Sequence, residues 1–175
     1  MTCTQTLAGL INDCAKSMGG IKAVALVERD KVASITVATG KVTAITMGTD
    51  GGGNDYVFFK YYFRPESGSM TSTMNIDNAT GVNYVSTELV LQFARMDTVK
   101  RTEMCAMSVN ELYALVQDCN NKWWLLGYDN PIYASAGDGQ TGQARGDGNR
   151  YQITLTDNSE DLPYEVEATA AEAVM

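Results

Sequence analysis

Leu112-Tyr113-Ala114-Leu115-Val116 and Trp123-Trp124-Leu125-Leu126 are the densest apolar runs in the chain. Between them stands Asp118-Cys119-Asn120-Asn121, rich in residues that tolerate a left-handed turn. Strand, tight turn and strand is the reading, over Glu111 to Asp118 and Trp123 to Tyr128. A third run, Tyr151-Gln152-Ile153-Thr154-Leu155-Thr156, alternates apolar and polar as a half-buried strand does. Between the second and third strands lies a Gly-rich stretch, Ser135 to Asn149, with no residues able to build a core. A loop of that length inside a compact domain is expected to be functional or disordered. It is read as an arm that touches a neighbouring copy, through Ser135, Gly137, Asp138, Gly139, Gln140, Thr141, Gly142, Arg145, Gly146, Asp147 and Asn149.

Working back toward the N-terminus, most segments read as strands. Ile21 to Glu28 is apolar at both parities, which predicts a strand covered on both faces. Val32 to Val37 and Val42 to Met47 alternate across Thr39-Gly40-Lys41 and predict a hairpin. Thr49 to Asp55 is a glycine-rich link without the Lys-Ser/Thr or following helix of a phosphate loop. Tyr56 to Arg64 is aromatic at both parities and reads as a long strand. Ser69 to Ile76 and Asn83 to Phe93 follow, with Val85, Thr87, Leu89, Leu91 and Phe93 as the core face of the second. One helix is expected, from Thr98 to Met107, capped by Asp97 or Thr98 and packed on a sheet through Val99, Met104, Cys105 and Met107.

The chain ends remain open. Residues 1–20 form an arm or a short helix on Leu7, Leu10, Ile11 and Cys14. Residues 21–166 are the β domain. The acidic run Asp157 to Asp161 reads as a turn, and residues 167–175 as a tail of little consequence. The expected fold class is therefore mainly β, a sandwich or barrel with one packed helix and long inter-subunit loops.

Composition narrows the chemistry. The 175 residues suit one domain. A net charge of -8 and a pI of about 4.5 disfavour a grip on nucleic acid by phosphate neutralisation. The sequence contains no histidine, so Ser-His and Cys-His nucleophiles and His-containing zinc sites are excluded. The four cysteines, at 3, 14, 105 and 119, form no CxxC pair and are expected to be reduced. No secretion signal and no membrane-length apolar run is visible, so a protein made in the cytoplasm is the expectation. Gly137-Asp138-Gly139 and Gly146-Asp147-Gly148 lack the ligand spacing of a calcium loop, and Arg145-Gly146-Asp147 is read as chance. Trp123 and Trp124 point to opposite faces of one strand, which makes a joint sugar platform awkward. No metal or cofactor is expected, and no enzyme.

The strand, helix, strand, turn, strand pattern of Asn83 to Tyr128, the Gly-rich loop and the strand after it resemble the tail-tube superfamily of phages and related injection machines. Lys122-Trp123-Trp124-Leu125-Leu126-Gly127-Tyr128 and Gly146-Asp147-Gly148-Asn149-Arg150-Tyr151-Gln152-Ile153-Thr154-Leu155 are similar to structural proteins of phages and prophages of gut Bacteroidales. The resemblance covers roughly Gly20 to Val166. It implies a virion protein: hexameric rings stacked into a tube, inner sheets joined into one barrel, and partners that are other copies and other tail or neck proteins. DNA would pass without specific binding, and no membrane would be involved. A head-tail junction ring, a capsid decoration protein and a carbohydrate-binding β-sandwich module are the alternatives.

Overall fold

The computed structural model describes residues 9–10 and 14–175. Among these, the chain runs β1 (Ile21–Glu28), β2 (Val32–Ala38), β3 (Lys41–Met47), β4 (Phe59–Tyr61), β5 (Gly68–Asp77), β6 (Val82–Ala94), α1 (Thr98–Val109), β7 (Leu112–Asp118), β8 (Trp123–Leu126), β9 (Tyr133–Gln140), β10 (Arg150–Ser159), β11 (Tyr164–Val166) and α2 (Ala168–Glu172). The protein is mainly β, with two sheets. One has seven strands in the order β2-β3-β11-β8-β7-β1-β4, the other four in the order β5-β6-β10-β9.

The β7–β8 hairpin forms where the apolar runs predict it. Asn121 takes the left-handed turn position at φ 63°. Asp118 Oδ1 accepts the N–H groups of Asn120 and Lys122, both at 2.8 Å, so one carboxylate ties the turn. β1 lies antiparallel beside β7. Both strands are buried on both faces, as the apolar parity of Ile21 to Glu28 predicts. Val24 and Leu26 join Ala114, Val116, Leu126, Leu89, Leu91, Ile153 and Leu155 in a core shared by the two sheets. Ala25 and Val27 join Leu115, Trp123, Leu125 and Val42 in a second core on the other side. Each such aliphatic side chain contributes about 1.5–3 kcal/mol when fully buried.

The second core has a cover that the sequence did not announce. Its outer layer is β2, β3, the buried Phe58 and the C-terminal segment, whose Ala170, Ala171 and Val174 are all buried. Phe58 N donates to Val174 O at 2.8 Å, and Glu167 N donates to Val42 O at 2.9 Å. Residues 167–175 are thus a lid on a core and not a tail of little consequence, and α2 is a second helix beyond the one expected.

Elsewhere the β2–β3 hairpin turns at Thr39 and Gly40, both with positive φ, the pattern that matches strand twist. On β6 the buried set is Val85, Thr87, Leu89, Leu91 and Phe93, the face expected. Three expectations are corrected. The aromatic run Tyr56 to Arg64 pairs only over Phe59–Tyr61, because β4 meets β1 at an edge and Phe58 turns inward instead. The acidic turn expected from Asp157 is strand as far as Ser159, since β10 keeps register with β6 through Ser159↔Val85. Most consequentially, the first part of the Gly-rich stretch is no loop: Ser135, Gly137, Asp138, Gly139 and Gln140 lie in β9, paired with β10.

Helix α1 begins at Asp97, whose side chain accepts from Lys100 N at 2.8 Å. Met107 is buried and Met104 packs against the shared core. Val99 and Cys105 are exposed, so the helix contacts the sheet through its methionines and not through those two. The N-terminal helix on Leu7, Leu10, Ile11 and Cys14 falls mostly outside the described residues; Leu10 and Cys14 themselves are exposed and not helical.

A direct check is Val174→Asp. It places an unpaired carboxylate in the second core and should lower stability by about 3 kcal/mol or more in urea unfolding. A dispensable tail would instead leave the midpoint unchanged.

Candidate assembly surface

Among the described residues the four-stranded sheet ends in two edges, β5 and β9, that no further strand pairs. β5 is ten residues long and β9 eight. Neither contains a Lys, Arg or Pro. Soluble proteins ordinarily blunt such edges with charge, proline, bulges or a covering element. β9 has one bulge, between the residues facing Thr154 and Leu155. β5 pairs with β6 without a break from Gly68↔Leu91 to Asp77↔Val82.

β9 exists because of what its glycines permit. Gly137 and Gly139 sit two apart and share the face that looks toward α1. A Cβ on Gly139 would stand 2.8 Å from the Tyr151 ring and 3.2 Å from Met96 Cε. Tyr151 is the cross-strand partner of Gly139, so the ring lies over the missing side chain. Met104 Cε would be 3.8 Å from a Cβ on Gly137. The Tyr151 ring therefore requires glycine at 139, whereas a Cβ at 137 would make only an ordinary contact with Met104.

The register also sorts the two faces of the sheet. One face carries the shared core. On the other stand Thr71, Thr73 and Asn75 of β5, Ser86 and Gln92 of β6, and Gln152 and Thr154 of β10. Its charged groups are Asp77, Glu88, Asp138 and Arg150. Val82, Tyr84 and Val90 of β6 stand on it too, so the face is hydroxyls and amides around a few apolar side chains, with sparse, mostly negative charge.

The remaining members of the expected contact loop, Thr141, Gly142, Arg145, Gly146, Asp147 and Asn149, do connect β9 to β10. The connection is a compact turn and not a free arm. Asp147 Oδ2 accepts from Gln143 N at 2.8 Å and Ala144 N at 2.7 Å, and these bonds hold its carboxyl below the usual aspartate range. Asn149 accepts from Arg95 N at 2.7 Å through its backbone oxygen and from Met96 N at 2.8 Å through Oδ1, pinning the loop to the start of α1.

A groove of about 520 Å3 lies between α1 and β4, lined by Phe59, Tyr61, Val99 and Met107 among others. Inside it Tyr61 donates to Glu103 Oε2 at 2.7 Å. Burial, then the Glu103 carboxylate, raises the Tyr61 phenol well above its ordinary value, so it stays protonated. Trp123 is buried in the second core and Trp124 packs against the first, donating to Asp118 at 3.2 Å. Neither ring offers a sugar platform. Cys14, Cys105 and Cys119 are free thiols; Cys3 lies outside the described residues. Among the described residues no group of three His, Cys, Asp or Glu is placed to hold a metal ion, and no helix is long and apolar enough to cross a membrane.

One buried acid links the sheets. Asp157 on β10 is 2% exposed and accepts from Gly127 N, at the end of β8, at 3.0 Å. Gly127 has φ 93°, and a Cβ there would stand 2.9 Å from Leu112 O, so only glycine fits. Burial raises the Asp157 carboxyl, and the Gly127 bond only partly opposes this. The folded state then holds its proton more tightly than the unfolded state. Stability from this group is greatest below the ordinary aspartate pKa and falls as pH rises from there through the raised value. Asp157→Asn keeps the acceptor for Gly127 and removes the charge. Urea unfolding across pH 3 to 7 should show that decline reduced in the variant, with stability at pH 7 no lower than in the parent; an unchanged pH profile would contradict this assignment.

No protein-family model, curated protein or solved structure matches this chain.

Proposed function

We propose that the protein is a self-assembling structural subunit, of the phage tail-tube kind, built into the virion as hexameric rings stacked around a DNA conduit. The observation that carries this reading is the four-stranded sheet, with two long edges free of lysine, arginine and proline on either side of a largely polar face with sparse charge. Pairing β5 of one copy with β9 of the next continues the sheet from subunit to subunit, and a closed ring removes every open edge. The hydroxyl and amide face then lines the lumen. Asp77, Glu88 and Asp138 give it a weak negative field, and Arg150 is its one cation. Apart from Arg150 at one end, its strands carry no Lys or Arg, so the wall does not neutralise phosphates along its length and a duplex slides through without being held. The shared core on the opposite face anchors this wall to the seven-stranded sheet, which forms the outer body. The resemblance of Lys122 to Tyr128 and of Gly146 to Leu155 to structural proteins of phages and prophages of gut Bacteroidales supports the same reading. Other copies are the principal partners, with tail or neck proteins at the ends of the tube. No catalytic step is part of the proposal.

The experiment is assembly of the purified chain, followed by electron microscopy and sedimentation velocity. The unaltered protein should give rings, alone or stacked. Thr73→Lys on β5 combined with Ala136→Lys on β9 puts like charges on the two edges that must meet. This variant should melt as the parent does but sediment as a monomer. Rings that persist in the double variant would show that these edges are not the joint.

A further inference from the structure

The two ends of the four-stranded sheet differ in shape and in charge. At one end, the start of β5, the end of β6, the start of β10 and the 141–149 turn surround an open cleft of about 500 Å3. Arg64, Arg95 and Arg150 line it, and Asp147 is the one carboxylate among its described lining residues. Asp147 is turned to the loop backbone by its two N–H bonds. Among the described residues, none of the three arginines is in an ion pair. A chain with 13 Lys and Arg against 21 Asp and Glu thus gathers three guanidinium groups around a single lining carboxylate at one place.

The opposite end is a projecting tip. β10 stays with β6 as far as Ser159↔Val85, whereas β5 and β6 remain paired to Asp77↔Val82. The last pairs of the β5–β6 hairpin and its turn, Asn78 to Gly81, therefore stand beyond the rest of the sheet. Asp77 accepts from Ala79 N at 2.9 Å and Thr80 Oγ1 at 2.7 Å. These bonds hold its carboxyl below the usual range, so it is ionised at neutral pH. Met74, Ile76, Val82 and Tyr84 around it are exposed apolar side chains with no cover in the monomer.

We propose that the arginine cleft of one copy receives the β5–β6 hairpin tip of a second copy, with the Asp77 carboxylate seated among Arg64, Arg95 and Arg150. Cleft and tip lie at opposite ends of the ten-residue strand β5, roughly 30 Å apart. Shifting a copy along that strand brings one to the other. The contact is heterologous and does not close on itself, so it repeats into a column. In the assembly proposed above it is the joint between one ring and the next, and it rests on that reading only for the ring. The occupant is identified by complementarity: the cleft has three guanidinium groups against the one Asp147 carboxylate, the tip carries negative charge, and the tip's apolar flanks would leave water on seating.

The test follows stacking by electron microscopy and sedimentation velocity in the full chain. Arg64→Glu should reduce the stacked fraction about tenfold or more while leaving rings and melting temperature unchanged. Raising salt from 0.1 to 0.5 M should weaken stacking of the parent in the same way. Arg64→Glu with Asp77→Lys reverses both partners and should restore stacks. Asp77→Asn, which keeps the acceptor for Ala79 N, should give a partial loss without disturbing the turn. Stacks unaffected by Arg64→Glu, or a folded reversal pair that fails to restore them, overturn the proposal while leaving the rings in place. Columns that lose stacking with Arg64→Glu but contain no rings would support the cleft contact and reject the edge pairing. A parent that stays monomeric at high concentration overturns both.

Discussion

The β1–β7 pair is buried on both faces, and the rest of the fold follows from that demand. A sheet with one wet face needs a single cover; this one needs two. On one side Val24, Leu26, Ala114 and Val116 are covered by β6 and β10 of the second sheet. On the other, Ala25, Val27 and Leu115 are covered by the β2–β3 hairpin, Phe58 and the C-terminal segment. Removing either cover leaves aliphatic side chains in water at about 25 cal/mol per Å2. The chain therefore commits both its first hairpin and its last nine residues to the outer side, and the four-stranded sheet to the inner.

The four-stranded sheet is left in an unusual position by this division. It gives one face to the shared core, and no element among the described residues covers its other face. Its two edges are long and carry no cation or proline. Helix α1 sits at one corner, where Met104 packs against the shared core beside Gly137. A hydroxyl-rich face is well solvated and costs nothing in the monomer. Open edges are a liability in solution. The proposed assembly turns that liability into the joint, so the same polar strands serve the solvated monomer and the closed ring.

How much was legible depended on whether local pattern and tertiary role coincided. β6 was legible because Val85, Leu89, Leu91 and Phe93 alternate with polar residues and the strand is half-buried. The β7–β8 hairpin was legible because Asp118 to Asn121 carries turn chemistry between two apolar runs. β9 was not: Tyr133-Ala-Ser-Ala-Gly-Asp-Gly-Gln has little strand propensity, and its pairing is imposed by β10. The period-two spacing of Gly137 and Gly139 was the signal available, a face kept bare for a neighbour. Tyr56 to Arg64 misled in the opposite sense, with high propensity but only three residues of partner at the edge. The C-terminal lid escaped notice because a five-residue alanine helix has no stability alone. Asp157 and the arginine cleft were invisible because each is assembled from residues distant in sequence.

Amide hydrogen exchange as a function of protein concentration tests the self-assembly claim most directly, because it reads the edge strands themselves. On this account the amides of β5 and β9 that point away from their own sheet exchange freely in dilute protein and become protected together as concentration rises. If β5 and β9 exchange at the same rates at every concentration, copies do not join through these edges and the account fails.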